Sequence, residues 1–242
     1  MVAKDHRELA LQAGQLTQSE ECFDGSRREQ AKHERRGRIV KAAHDLLRET
    51  GVEELSMRAV ADRADVSLST VYNLFESKQA VLARVFDRDL ADFEQLVAAA
   101  PSPDVLARMF DALDIAADLY QADPAFYRAT MWRRPGESSE LGLRATLRAP
   151  RIRFWRGMVA AATQEGWLRR GSDPAVVGAL LIQIFGGVLA DWIAGEISIE
   201  TLRRELKLGF AVTLLAFATR QASARLRTLS SDLHSQLSAA RS

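Results

Sequence analysis

The chain holds 242 residues, 47% hydrophobic and 27% charged, which excludes wholesale disorder and is long enough for a proper core without disulfides. Lys and Arg number 33 against 32 Asp and Glu, a net charge of +1, so any nucleic-acid binding must come from local patches and not from a basic whole. One cysteine, Cys22, excludes a disulfide framework and a Cys-based zinc site, and the four histidines (His6, His33, His44, His234) lie scattered without ligand spacing, so neither a metal nor a cofactor is expected.

In chain order, residues 1 to about 32 are polar, are interrupted by Gly14 and Gly25, and carry no apolar signal segment. They are expected to form a flexible arm. Residues 33–50 form an amphipathic helix, with Ile39, Ala42, Ala43, Leu46 and Leu47 on one face and Gly51 as its C-terminal stop. Two short helices follow, at about 57–64 and 68–74. Ser77 then caps a long helix that carries Val81, Leu82, Val85, Phe86, Leu90, Phe93 and Leu96 on one side. After a break at 98–103, roughly five helices reach residue 219, with a loop at 134–139 and helix entries at Ser102-Pro103, Asp123-Pro124 and Asp173-Pro174. Residues 220–242 form a polar tail whose apolar face is too narrow to require a core. No run alternates strictly, so the fold class is all-α: a helix-turn-helix domain at 33–82 joined to a helical domain at 83–219.

The segment Ser56–Lys78 carries the function. Met57, Val60, Ala61 and Ala64 make one apolar face, Asp65-Val66-Ser67 turns the chain, and Val71 and Phe75 make a second face. Two short helices joined by a tight turn are the helix-turn-helix design. Small Ala61 permits close approach, and Val66 plugs the corner. Leu68, Ser69, Thr70, Tyr72 and Asn73 are left to face outward, a surface suited to base edges and phosphates. Tyr72 admits a second placement, as a core residue with a wet hydroxyl.

Gly51, Leu55-Ser56, Val60-Ala61, Val66-Ser67, Val71-Tyr72, Phe75 and Ser77-Lys78 together make this region, about residues 33–85, resemble the DNA-binding domain of the tetracycline-repressor (TetR) family. Asp65 departs from the usual turn glycine, but Asp tolerates the left-handed region better than most residues. Leu74 stands where a polar aromatic is common. The resemblance implies DNA contacts from Ser56, Arg58, Ser67, Leu68, Ser69, Thr70, Tyr72, Asn73 and Lys78, with Lys78 as a phosphate clamp; Ser56, Ser67 and Ser77 serve as N-caps besides. Upstream, Arg27, Arg28, Lys32, Arg35, Arg36 and Arg38 oppose only Glu29 and Glu34. They are either a solvated charge run or a contact to phosphate or a minor groove.

The resemblance further implies a ligand cavity between the helices after Pro101. Phe110, Tyr120, Tyr127, Met131, Trp132, Trp155 and Met158 are candidates to line it, core packing being the alternative. Arg144, Arg148, Arg151, Arg153 and Arg156 are either a solvated face or the entrance for an anionic ligand. The helices at about 175–193 and 198–219 are apolar on more than one side, and Gly178, Gly186 and Gly187 allow close approach. The first approaches membrane length, yet Gln183 and Asp191 fit a buried or partner-facing helix better than a bilayer span. A homodimer on a two-fold operator is expected, in the cytoplasm and off the membrane. No Gly-x-Ser-x-Gly elbow, phosphate-binding glycine loop or His-Glu-x-x-His points to an enzyme. The expected function is a DNA-binding transcriptional regulator, a repressor released by a small molecule; an activator, or a regulator answering to a protein partner, is the alternative.

Overall fold

The computed structural model describes residues 5–131 and 141–240, and their side chains over 27–128 and 149–240. Among the described residues there are ten helices and no strand beyond a single antiparallel bridge, Leu168–Ala218. The all-α expectation holds. The loop expected at 134–139 lies outside the described residues.

Helix α1 (Asp5–Glu54) breaks at Gly51, whose φ of 80° is the left-handed conformation that glycine adopts without strain. The expected stop at Gly51 is thus a kink, with three more helical residues beyond it. Upstream, the helix runs back to Asp5 through residues expected to form an arm. That segment is rich in Ala, Leu, Gln, Glu and Arg, all good helix formers, and an interior glycine costs only about 1 kcal/mol. Its polarity hid a helical propensity that needs no apolar face.

α2 (Met57–Ala64) and α3 (Leu68–Leu74) follow, then α4 (Lys78–Ala99). The first half of α4 packs on α1 and buries Val81, Leu82, Val85 and Phe86 in the same core as Ile39, Ala43 and Leu47 of α1 and Val60 and Val71 of the short pair. Each such aliphatic burial is worth about 1.5–3 kcal/mol. The second half of α4 is looser: Leu90 and Phe93 are half-buried, and Leu96 is exposed.

Beyond the break come α5 (Val105–Ala122), α6 (Pro124–Met131), α7 (Leu141–Gln164), α8 (Pro174–Ala194), α9 (Ile199–Leu215) and α10 (Arg220–Ala240). α9 lies at the centre of this part, touching α5, α8 and α10. The cap of α5 is Asp104, which accepts from the Ala107 N–H at 2.7 Å. Ser102, expected there, instead donates to Asp111 at 2.6 Å. Asp123 and Asp173 cap α6 and α8 as expected, accepting from the Phe126 and Ala175 N–H groups.

Two expectations about the end of the chain are corrected. The supposed polar tail is α10, packed on α9 through Ala222, Leu226, Leu233 and Leu237. These recur every three to four residues or a multiple, a seam one residue wide, which is enough to hold a helix against a single neighbour. The main chain of Arg169 and Thr219, bonded to Phe217 and Trp167 at 2.9 and 3.0 Å, ties the start of α10 to the turn after α7. Of the glycines expected to allow close approach, Gly178 alone does so within the protomer, since a Cβ there would stand 3.0 Å from the Arg156 backbone nitrogen of α7. Gly186 and Gly187 are exposed and meet nothing within 4 Å.

Candidate nucleic-acid interface and interior pocket

The interface is built by three serine caps. Ser56 Oγ accepts from the Ala59 N–H, Ser67 Oγ from Thr70 and Ser77 Oγ from Ala80, each at 3.1 Å. A lost cap of this kind costs about 1 kcal/mol. Between the first two, Asp65 adopts φ 52°, ψ 55°, and its N–H closes α2 on the Ala61 and Asp62 carbonyls. The left-handed turn expected to survive without glycine does so. Val66 N–H bonds the Ala61 carbonyl at 3.1 Å while its side chain packs on the core, so the corner is plugged as expected. On the flank, Arg63 grips Glu49 of α1 through two hydrogen bonds, at 3.0 and 2.8 Å. That contact holds the Glu49 carboxyl below its usual range.

Capping and apolar burial leave one face of α3 to solvent. Leu68 is 40% and Tyr72 50% exposed, and Ser69 and Asn73 are exposed beside them. Tyr72 is therefore a surface residue, not a core one. Thr70 is half-buried and tied to Ser67 Oγ at 2.7 Å, inside a hydroxyl cluster that Ser69 joins at 2.9 Å. Ser56, Arg58 and Ser67 are exposed as well. Lys78 opens α4 half-buried, and its Nζ donates to the Glu53 carbonyl at 3.3 Å; burial pulls its pKa down, against the pull of the Glu53 charge. In α1, Arg27, Arg28, Arg36 and Arg38 are exposed, while Lys32 and Arg35 are half-buried.

The motif matches the family model described as bacterial regulatory proteins, tetR family, over residues 39–85. Over 182 residues the chain is 34% identical to the HTH-type transcriptional repressor KstR of Rhodococcus jostii, covering 74% of this chain and 82% of that one. The chain belongs to the TetR family. The KstR of Mycobacterium tuberculosis is 42% identical over 62 residues, 26% of this chain and 28% of its own. Among solved structures, the Thermus thermophilus repressor FadR, in complex with lauroyl-CoA, aligns with a TM-score of 0.60 at 20% identity, covering 76% of this chain and 96% of that one. TylP of Streptomyces fradiae aligns at 0.57 and 21%, covering 84% and 97%. At these identities the two structures share the fold. This TetR-family chain is a DNA-binding transcriptional regulator, with an N-terminal helix-turn-helix domain and a helical C-terminal domain.

In the C-terminal domain the second half of α4 meets α5–α8 around a pocket. It is small and partly open, with a cavity volume of about 40 Å³. Tyr120, Tyr127 and Trp155, proposed from sequence, line it. Phe110 and Met158 do not: both pack half-buried against the core elsewhere. Trp132 and the side chain of Met131 lie outside the described residues. Phe154 lines it too, and sequence reading missed Asp89, Leu90, Phe93, Ile182 and Phe185 as lining residues. The fading burial along α4 was a usable signal, because a carboxylate at Asp89 interrupts its apolar stripe. Of the arginine stretch, Arg151 lines the pocket while Arg153 and Arg156 are exposed; Arg144 and Arg148 lie outside the described side chains.

Tyr127 Oη donates to Asp89 Oδ1 at 2.6 Å. Burial pushes the Asp89 carboxyl above its usual range, against the opposing pull of the Tyr127 hydrogen bond and the Arg151 charge. Burial likewise raises both tyrosine hydroxyls. One residue before Tyr127, the Phe126 ring stacks on His44 of α1, with centroids 4.3 Å apart. Arg48 of α1 holds Asp123, the cap of α6, at 2.9 Å. α6 thus touches the pocket on one side and the DNA-binding domain on the other.

Proposed function

We propose that this regulator is a repressor that grips a two-fold operator as a homodimer and leaves it when a small molecule fills the pocket. The observation that carries this reading is the placement of α4 and α6. α4 runs from Lys78, beside the DNA-facing helix, to Asp89 and Phe93 in the pocket wall. α6 carries Tyr127 in that wall and Phe126 against His44. A ligand that shifts either helix therefore changes the seat of the DNA-binding domain.

A dimer is supported by α8 and α9, which leave Val176, Leu180 and Val212 exposed at 44–55%. α8 continues this face through Gln183 and through Gly187, Ala190 and Ala194, the last three small enough for a close partner helix. Phe210, which also belonged to the apolar helices expected at the interface, is fully buried within the protomer. Two α3 helices bound to successive major grooves must stand about 34–36 Å apart. A ligand that prefers another spacing competes with DNA by reciprocal coupling of about 1–3 kcal/mol. In the DNA contact, Leu68, Ser69, Tyr72 and Asn73 meet bases, Thr70 stiffens the cap from within, and Ser56, Arg58, Ser67 and Lys78 meet phosphate. The name of the Rhodococcus relative, a repressor, supports the same sense of control. Such a protein would work in the cytoplasm, where operator DNA lies.

A gel shift on the DNA upstream of the gene tests the reading. Retardation that is lost when a pocket ligand is added supports it. Retardation that tightens with the ligand overturns the direction and favours the activator.

A further inference from the structure

The DNA-facing helix α3 (Leu68–Leu74) contains no Arg, Lys, Asp or Glu. In a major groove, guanine is read by a cation on its O6 and N7, and cytosine by a carboxylate that accepts from its N4. α3 can supply neither. Its Ser69 and Thr70 hydroxyls are already drawn into the cluster on Ser67 Oγ, at 2.9 and 2.7 Å. Asn73, exposed near the end of the helix, carries an amide whose bidentate partner is adenine.

What α3 presents besides is apolar. Leu68 is 40% and Tyr72 50% exposed. Four residues apart, they share one face of the helix and lie about 6 Å apart along its axis. Leu68 opens the helix, where recognition helices touch base edges, and the Ser67 cap fixes the backbone that carries it. The apolar group on the floor of a major groove is the thymine 5-methyl. A cytosine in the same place would lose water from its N4 amino group and find no acceptor on leucine, which leaves a hydrogen bond unmade.

We propose that Leu68 is a specificity-determining residue of this regulator: it seats on the 5-methyl group of thymine in the major groove, so that the base pairs beneath it are A·T. The inference rests on the reading of α3 as the helix that meets the bases of a two-fold operator, and adds which bases it selects.

Selection from a pool of random DNA duplexes tests it, with the full wild-type chain and Leu68→Ala run side by side. Positions whose selected base differs between the two lie beneath Leu68, and in the wild type they should be A·T. Uracil is then put in place of thymine at those positions, which removes the methyl group and keeps every hydrogen bond. Fluorescence anisotropy should show the wild type weakened about fourfold for each thymine replaced, and Leu68→Ala unchanged. Inosine·cytosine pairs there, which look like A·T in the minor groove and like G·C in the major groove, should bind as poorly as G·C. Circular dichroism shows whether Leu68→Ala folds; if it does not, Leu68→Gln takes its place. Selected G·C pairs at these positions overturn the proposal, as does a selection in which no position differs between the two chains. So does uracil that binds the wild type as well as thymine, a thymine preference that survives the substitution of Leu68, or inosine·cytosine that matches A·T. These outcomes leave the two-fold operator and its regulator standing. If the pool yields no two-fold site at all, the proposal and that reading fall together.

Discussion

The two ends of this molecule solve opposite problems. The DNA-binding end is built from small aliphatic residues, serine caps and a three-residue turn, and it is closed: Val60, Val71 and Val81 have no exposure at all. The effector end is built from aromatic rings that meet at edges and angles, and it leaves a pocket between them. A reader of base edges needs a fixed surface, because a small misplacement loses every bidentate contact at once. A sensor needs a site that can be filled. Tight packing and open packing are therefore distributed along α4, whose first half is sealed and whose second half is not.

The largest expected effect sharpens that contrast. Phe210 is fully buried and meets Trp155 edge to face at 4.7 Å. Phe210→Ala should cost about 3–5 kcal/mol of stability in chemical denaturation, with the unfolding of the effector end leading. A loss under about 1 kcal/mol would show that the aromatic wall collapses into the space, and the contrast would break. Leu180→Asp should leave the protomer folded, since the side chain is 44% exposed. It should dissociate the dimer in sedimentation and weaken operator binding by about a hundredfold, as the two half-sites are no longer engaged together.

Smaller effects separate the parts of the DNA-binding end. Asn73→Ala should cost about 1–3 kcal/mol on the preferred operator and change the ranking of operator variants. Lys78→Ala should weaken all sequences alike and lower the slope of log affinity against log salt by about one. A changed ranking with an unchanged slope would give Lys78 another role. Smallest is a pH effect at the effector end. The Asp89 carboxyl lies above its ordinary value of 3.8 in the folded protein, so the native state holds that proton more tightly than the unfolded chain. Its contribution to stability is present at low pH and lost as pH rises through the folded value. Asp89→Asn does not titrate, so its melting temperature should gain on the wild type between acid and neutral pH. An unchanged difference would place Asp89 in water.

The same contrast explains what was legible in the sequence. The helix-turn-helix could be read because its determinants are local: a cap, three to five apolar positions and a turn residue within about 20 residues. Even the unusual Asp65 could be assigned from the conformations an aspartate tolerates. The pocket could not be read this way. Its walls come from five helices, and whether an aromatic residue such as Phe110 or Phe154 packs or lines depends on how those helices lie. α10 was missed for a related reason. Its seam through Leu226, Leu233 and Leu237 is one residue wide, and only the presence of α9 makes so narrow a stripe worth burying. α1 was under-read because intrinsic propensity, not amphipathicity, carries its first half.

The side-by-side placement of Phe126 and Tyr127 bears on how such a regulator can change over generations. One residue faces the chemical signal and the next faces the DNA-binding domain, so discrimination and transmission are separated by a single peptide unit. Substitutions at Phe93, Phe154 or Ile182 reshape what the pocket accepts without touching the stack on His44. The molecule can acquire a new effector while keeping its old output. For anyone building a sensor from this scaffold, those wall positions are the ones to randomise, and Phe126, His44, Arg48 and Asp123 are the ones to leave alone.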